Sequence, residues 1–235
     1  MSLFLKFVFI FYMGCTAGWI LELFFRRIVH GKWVNPGALM GPYLPIYGFG
    51  LTALTIIFLI FRKTNLNPII IILLMGTIMT LIELIGGLAG LKNNVKLWDY
   101  SERWGNYKGV ICPLFSAIWT IIGAIYYFIL APYIIQALDW FVNHLAFSYI
   151  LGIFSGFIII DTIYSSKIYL KIRKYAKEND IIIKYEQFKI HIKDVQSRAR
   201  KKYSFLNPFK QTNELLDDLL DYKNKVVKKL NKSDK

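Results

Sequence analysis

Residues Pro68–Leu91 read PIIIILLMGTIMTLIELIGGLAGL, an apolar run holding one acid, Glu83, and no base. A helix needs about 20 such residues to cross the hydrocarbon core of a bilayer, so this stretch predicts a transmembrane helix. Four further runs meet the same test: Leu3–Phe25, Tyr43–Phe61, Gly109–Ala131 and Leu145–Ser166. Together they predict an all-α, polytopic helical membrane protein of about five spans. An acid at membrane depth costs roughly 2.5–3.5 kcal/mol on insertion scales, which makes Glu83 a functional candidate. Gly87 and Gly90 share its helical face, with Gly86 beside them, and in the first run Gly14, Gly18 and Glu22 recur every four residues. Small residues at that spacing mark close helix approach, which turns both carboxylates toward the bundle. Glu22, Glu83 and Asp161, near the end of the last span, are the candidate ligand or proton sites.

The 235 residues are 55% hydrophobic and 17% aromatic, with 29 basic against 15 acidic side chains. Residues 1–166 hold 10 basic and 6 acidic residues, whereas 167–235 hold 19 and 9. That division predicts a transmembrane domain over 1–166 and a cytoplasmic, basic helical tail over 167–235. In the tail, Ile181–Ile183, Phe188, Ile190 and Ile192 stripe one helix and Phe205–Pro208 breaks it. A last helix is expected from Thr212, with Glu214, Asp217, Asp218 and Asp221 early and Lys223, Lys225, Lys228 and Lys229 late, the order that suits the helix dipole. Leu216, Leu219, Leu220, Val226, Val227 and Leu230 form its expected apolar face. The tail's charge suits anionic lipid or a partner protein. Nucleic acid is the weaker reading, because no recognition motif accompanies the charge. Cys15 and Cys112 lie in apolar runs and read as buried thiols, and with three scattered histidines they offer no metal-ligand spacing. No cofactor is implied.

Orientation follows from basic residues in short loops. Arg26, Arg27 and Lys32, then Lys92, Lys96, Arg103 and Lys108, fall on the tail's side of a five-span chain. The N-terminus is expected outside and the tail inside. The first run has only Lys6 near its start, ahead of a very long apolar region, and no small-x-small cleavage site, so it is expected to be retained. Tyr133–Asn143 is expected to extend along the outer surface.

Two loops echo each other. Trp33, Asn35, Gly37 and Pro42 answer to Trp104, Asn106, Gly109 and Pro113, and each set follows a helix bearing a glutamate. The pairing is either a parallel two-helix repeat, of the kind transporter folds use, or a recurrence by chance in a chain rich in Trp and Gly.

Pro36, Pro42 and Pro45 with Gly37, Gly41, Gly48 and Gly50 prevent a regular helix at the entry to the second span. Either this is a broken segment whose free amides and carbonyls touch a ligand, or it is an ordered loop ahead of a helix start. Trp98-Asp99-Tyr100-Ser101 is either an interfacial anchor with an Asp-initiated turn or a loop folded back on the acids as a gate. For the acids, plain structural roles compete with function. Glu22 stands four residues before Arg26, Glu83 has Ser116, Trp119 or Thr120 of the fourth span, or a basic residue of the first loop, as candidate partners, and Asp161 is near enough to Lys167 to snorkel. All three acids are also placed to form one cluster with Asp99 and Glu102.

Through the strings NPGALMGPYLPIYG (Asn35–Gly48) and Trp98–Ser101, with Asn106 and Gly109, the chain resembles the bacterial CmpB-like family, ABC-transporter type IV, over roughly Gly18–Trp119. The residues that carry the resemblance are Asn35, Gly37, Gly41, Pro42, Pro45, Tyr47, Gly48, Trp98, Asp99, Tyr100, Ser101, Asn106 and Gly109. The family has Asn-Arg-Gly where this chain has Asn35-Pro36-Gly37. The resemblance implies a permease-like subunit of the bacterial plasma membrane. Its ATPase would be a separate polypeptide, since no Walker A string occurs here. Two other classes stay open: a noncatalytic scaffold that recruits through its tail, and an intramembrane enzyme with paired carboxylates, for which no nucleophile or metal set is evident.

Overall fold

The computed structural model describes residues 3–198, 205 and 212–233, and it is mostly helical. In chain order the elements are α1 (Leu3–His30), α2 (Pro45–Phe61), α3 (Pro68–Leu91), β1 (Val95–Lys96), α4 (Pro113–Ile125), a π-helical turn (Tyr126–Leu130), α5 (Ala131–Asn143), a 3₁₀ turn (Leu145–Phe147), α6 (Ser148–Glu178), β2 (Ile183–Lys184), α7 (Tyr185–Arg198) and α8 (Thr212–Ser233). Four stretches are long and apolar enough to cross a membrane: Leu3–Val29, Pro68–Leu91, Pro113–Asn143 and Leu145–Glu178, with Pro45–Phe61 a shorter apolar helix. Ile85, Phe157, Ile160 and Ile163 on these helices are exposed. Water penalises such surface and hydrocarbon does not. The chain is a multi-pass helical membrane protein.

Several boundaries differ from the sequence expectation: α1 runs past Phe25 to His30, and α2 opens at Pro45 and not at Tyr43. The fourth span starts at Pro113, not Gly109, because Gly109 sits at φ 71° in a turn and Pro113 occupies the first helical turn, where its missing N–H costs nothing. The last apolar helix passes Ser166 without interruption and ends at Glu178. Residues 133–143 continue the fourth span as helix through the π turn.

Two compact units divide the chain. The first comprises Met1–Glu22, Pro42–Leu88 and Asp99–Ile160. Its helices meet at glycines. A methyl group at Gly14 would stand 2.7 Å from the Tyr47 carbonyl oxygen, and one at Gly48 would stand 2.5 Å from Cys15 Sγ. The α1–α2 crossing is close enough for the Leu44 amide to donate to the Cys15 carbonyl at 3.0 Å. Gly50 makes room for Met79 on α3, while Gly76 and Gly123 let α3 and α4 approach over Thr120 and Met75. Leu54, Ile57, Ile71, Met75, Met79, Tyr126 and Ala131 form the core between these helices. Within it the Tyr126 hydroxyl donates to Thr55 Oγ1 at 2.9 Å.

The second unit comprises Leu23–Gly41, Ala89–Trp98 and Asp161–Lys235. Val95, Ile172, Tyr175, Ile183, Phe188, Ile192, Leu215, Leu219 and Tyr222 form a core of its own. Ile183–Lys184 is extended, not helical, because it pairs in parallel with Val95–Lys96, and the Ile183 amide donates to the Asn94 carbonyl at 3.0 Å. The expected break at Phe205–Pro208 lies, apart from Phe205, outside the described residues. The described part of α8 runs Thr212–Ser233. Its buried face is Leu215, Leu219 and Tyr222, with Val226 partly buried, while Leu216 and Leu220 are exposed. Spacings of four and three hold that stripe against α7, and Leu216 falls one residue off it. Val227 and Leu230 are expected members whose side chains lie outside the described residues.

Candidate functional site

α1 and α3 each carry a glutamate, and in the first unit both are bound by aromatic donors. Pro45 starts α2, which places Tyr47 in its first turn, and the Tyr47 hydroxyl donates to Glu22 Oε2 at 2.8 Å. Trp119, in the second turn of α4, donates its indole N–H to Glu83 Oε2 at 2.9 Å. The Tyr100 hydroxyl donates to Glu83 Oε1 at 2.8 Å, and its ring stacks on Phe115 at 4.3 Å between centroids. The Tyr47 and Trp119 rings meet edge to face with centroids 5.8 Å apart. Glu22 and Glu83 thus belong to one chain of contacts, Glu22–Tyr47–Trp119–Glu83–Tyr100. Glu83 is only 4% exposed and Glu22 is partly buried. Both Glu83 oxygens take hydrogen bonds from neutral groups, and no lysine or arginine forms a salt bridge with it among the described residues. Such a carboxyl is satisfied by geometry and not by a counter-charge, so adding or removing a proton changes a buried net charge, a high-stakes event in low dielectric.

Of the partners expected for Glu83, Trp119 supplies one bond, while the other comes from Tyr100 and not from a basic residue of the first loop. The Trp98–Ser101 loop divides. Tyr100 reaches back to Glu83, whereas Asp99 accepts from the Ser101 amide at 3.2 Å and hydroxyl at 2.5 Å, closing an Asp-initiated turn. Glu102 is exposed. Asn106 fixes this loop by donating to the carbonyls of Ser101 and Arg103 and by accepting from the Gly109 amide at 2.9 Å. Phe115 was not legible as a member, since nothing in its own spacing distinguishes it from lipid-facing phenylalanines.

Asp161 and the Asn35–Gly41 loop lie in the second unit. Asn35, buried, donates to the Leu39 and Met40 carbonyls at 3.3 and 2.8 Å, and Gly37 takes φ 75°, which a side chain would strain. The Asp161 carboxylate accepts the Met40 amide at 3.0 Å, the Gly41 amide at 2.7 Å and the Ser165 hydroxyl at 2.7 Å. It is buried, so it does not snorkel. From the opposite chemical side, Lys189 Nζ donates to the Asn35 and Gly37 carbonyls at 3.1 and 2.5 Å, and Lys193 Nζ to the Trp33 carbonyl at 2.8 Å. The loop's amides and carbonyls are thereby held by protein groups on α6 and α7. Arg26 pairs with Glu186, and Lys32 with Asp194 at 2.6 Å. The tail lysines are where the sequence reading fell short, because their alternation with apolar residues resembled a solvated face.

Lys189 is 3% exposed, and burial pushes its ammonium down to about 7, with Arg26 adding to the shift and Glu186 and Asp161 opposing it. Above that value the unfolded chain still holds a proton that the folded unit has given up. Stability should therefore rise with pH from about 7 toward the ordinary lysine value near 10.4. Pulse proteolysis in urea between pH 6.5 and 9.5 should show a rising midpoint for cleavage within 167–235. Lys189→Met should flatten most of that slope. Equal slopes for the two proteins would show that Lys189 titrates normally.

What the fold and these contacts define is a multi-pass helical membrane protein with one buried and one partly buried glutamate tied together by aromatic donors. Residues 9–166 match the family described as "Putative ABC-transporter type IV", and the chain belongs to that family. No curated protein and no solved structure shows significant similarity to it. Among the described residues no group of three or more His, Cys, Asp or Glu side chains is arranged to hold a metal ion.

Proposed function

We propose that this chain is the membrane-spanning, permease-like subunit of an ABC-type transporter of the bacterial plasma membrane, binding a solute or proton at Glu22 and Glu83 and relying on an ATPase carried by another polypeptide. The observation that carries the reading is the pair of acids, Glu83 buried and Glu22 partly buried, joined through Tyr47 and Trp119. Each glutamate sits on an odd-numbered helix and meets an aromatic group from the helix that follows it, which supports a parallel repeat of α1–α2 with α3–α4. Pro45 and Pro113 each open the second helix of their pair, although by spacing from the asparagine it is Pro42 that answers to Pro113. α2 then serves as a fifth crossing beside the four longer spans. The transmembrane domain covers 1–166, with the N-terminus outside, and 167–235 form a cytoplasmic basic tail that meets anionic lipid. The family-motif residues Tyr47 and Tyr100 hold the two acids. This reading leaves no catalytic chemistry to the chain. The alternative, a scaffold recruiting through its tail, draws support from the separate core of the second unit.

Cysteine accessibility tests both topology and site in a Cys15→Ser, Cys112→Ser background. Single cysteines at 65 and 140 should react with an impermeant thiol reagent from outside, and those at 100 and 230 only from inside. Tyr47→Cys and Trp119→Cys should react with a small permeant reagent, because a transport site must be reachable from water. External labelling at 100 would overturn the orientation. Unreactive cysteines at both 47 and 119 would leave the pair as scaffold.

A further inference from the structure

At the C-terminal end of α2, the end away from Tyr47, the first unit has a cleft of about 500 Å³. Its origin is local. Pro132 cannot donate, and its ring would meet the carbonyl of Phe128 in a regular helix. The chain instead widens into the π turn Tyr126–Leu130, where the Ala131 amide donates to the Tyr126 carbonyl five residues back. Such turns recur at functional sites. The widened turn and one face of α5 (Pro132, Ile135, Gln136 and Asp139, at spacings i, i+3, i+4 and i+7) form one wall, and Phe58 and Arg62, four residues apart on α2 and its C-terminal cap, form the other. Phe58 and Tyr127 rings close the floor edge to face with centroids 5.7 Å apart.

Depth and charge select the occupant. Arg62 directly follows the last residue of α2 and precedes Lys63, Thr64 and Asn65, while Asp139 adjoins exposed Trp140 near the end of α5. Polar chain after an apolar helix, with an aromatic belt, marks headgroup level. The walls below are apolar and open to acyl chain. At the rim stand one cation, Arg62, one anion, Asp139, and one amide, Gln136. A guanidinium suits phosphate. A carboxylate and an amide oxygen suit a group with several N–H donors. We propose that this cleft binds a phospholipid whose headgroup carries a phosphate and a primary ammonium, with phosphate on Arg62, ammonium on Asp139 and Gln136, and an acyl chain along Phe58, Phe128 and Ile135. A purely anionic headgroup would meet the Asp139 carboxylate, and a quaternary ammonium has no N–H to give it.

Native mass spectrometry of the detergent-purified full chain, titrated with dioleoyl phosphatidylethanolamine, phosphatidylcholine or phosphatidylglycerol, tests the assignment. The ethanolamine lipid should bind about tenfold or more tightly than either competitor, the scale of one charge-assisted hydrogen bond. Asp139→Asn should erase its advantage over the choline lipid, and Arg62→Gln should weaken all three. Both exposed substitutions should leave helicity and elution volume unchanged. Free phosphoethanolamine should not compete at equal concentration. Equal binding of the three lipids, indifference to both substitutions, or full competition by the free headgroup would each overturn the proposal.

Discussion

Glu83→Leu is expected to lower the abundance of the protein in membranes several-fold, while Glu83→Gln is expected to leave abundance near normal and abolish function. The difference lies in what each residue leaves to its partners. Leucine strands the Trp119 N–H and the Tyr100 O–H in a dry site, at about 1–3 kcal/mol for each unsatisfied donor. Losses of that size are a large share of a marginal stability. Glutamine keeps both bonds. Its amide oxygen accepts from Trp119, and its NH₂ donates to the Tyr100 hydroxyl, which rotates to accept. Only the capacity to gain or lose a proton is gone. Quantitative blotting of membranes, together with complementation of whatever phenotype a deletion gives, separates the outcomes. Full function in Glu83→Gln would remove the acid from the mechanism, and normal abundance in both variants would also remove it from the scaffold.

Gly18→Ala should be the most damaging single-methyl change in the transmembrane part. The added carbon would stand 2.1 Å from Tyr47 Cγ and 2.2 Å from its Cβ, distances that no rotamer change at the ring's far end relieves. Tyr47 must move, and with it go the hydrogen bond to Glu22 and the edge contact with Trp119. Overpacking of this kind costs roughly 1–3 kcal/mol before the lost bond is counted. Gly152→Ala and Gly156→Ala on α6 supply the internal control, since a methyl group there meets nothing within 4 Å. They should be neutral or stabilising by about 0.5–1 kcal/mol through helix propensity. Thermal unfolding in detergent, followed by tryptophan fluorescence, checks the series. A Gly18→Ala protein as stable as the α6 variants would mean that α1 and α2 do not cross where the glycines place them.

The sequence alone determined what depends on local spacing. Span length is a count of apolar residues, so the helical membrane class and the helices α1 to α4 and α6 were readable. Gly14 and Gly18 at four-residue spacing pointed to the face that meets α2, because one helical face is a property of the chain itself. Trp119 was among the partners expected for Glu83 for the same reason. Tertiary structure alone decided everything that joins distant segments. Asp161 accepts amides 121 and 120 residues away, and Lys189 grips carbonyls 154 and 152 residues away. No periodicity encodes such pairings. Ile183 reads as one more apolar residue in a stripe until Val95 offers it an edge. Likewise α8 has two leucine rows, and only the position of α7 decides that Leu215 and Leu219 are buried while Leu216 and Leu220 are not. The acids themselves were conspicuous because charge at membrane depth is costly wherever it occurs. Their union through Tyr47 and Trp119 required two helix pairs to be packed first, since an edge contact between rings exists only once both backbones are in place.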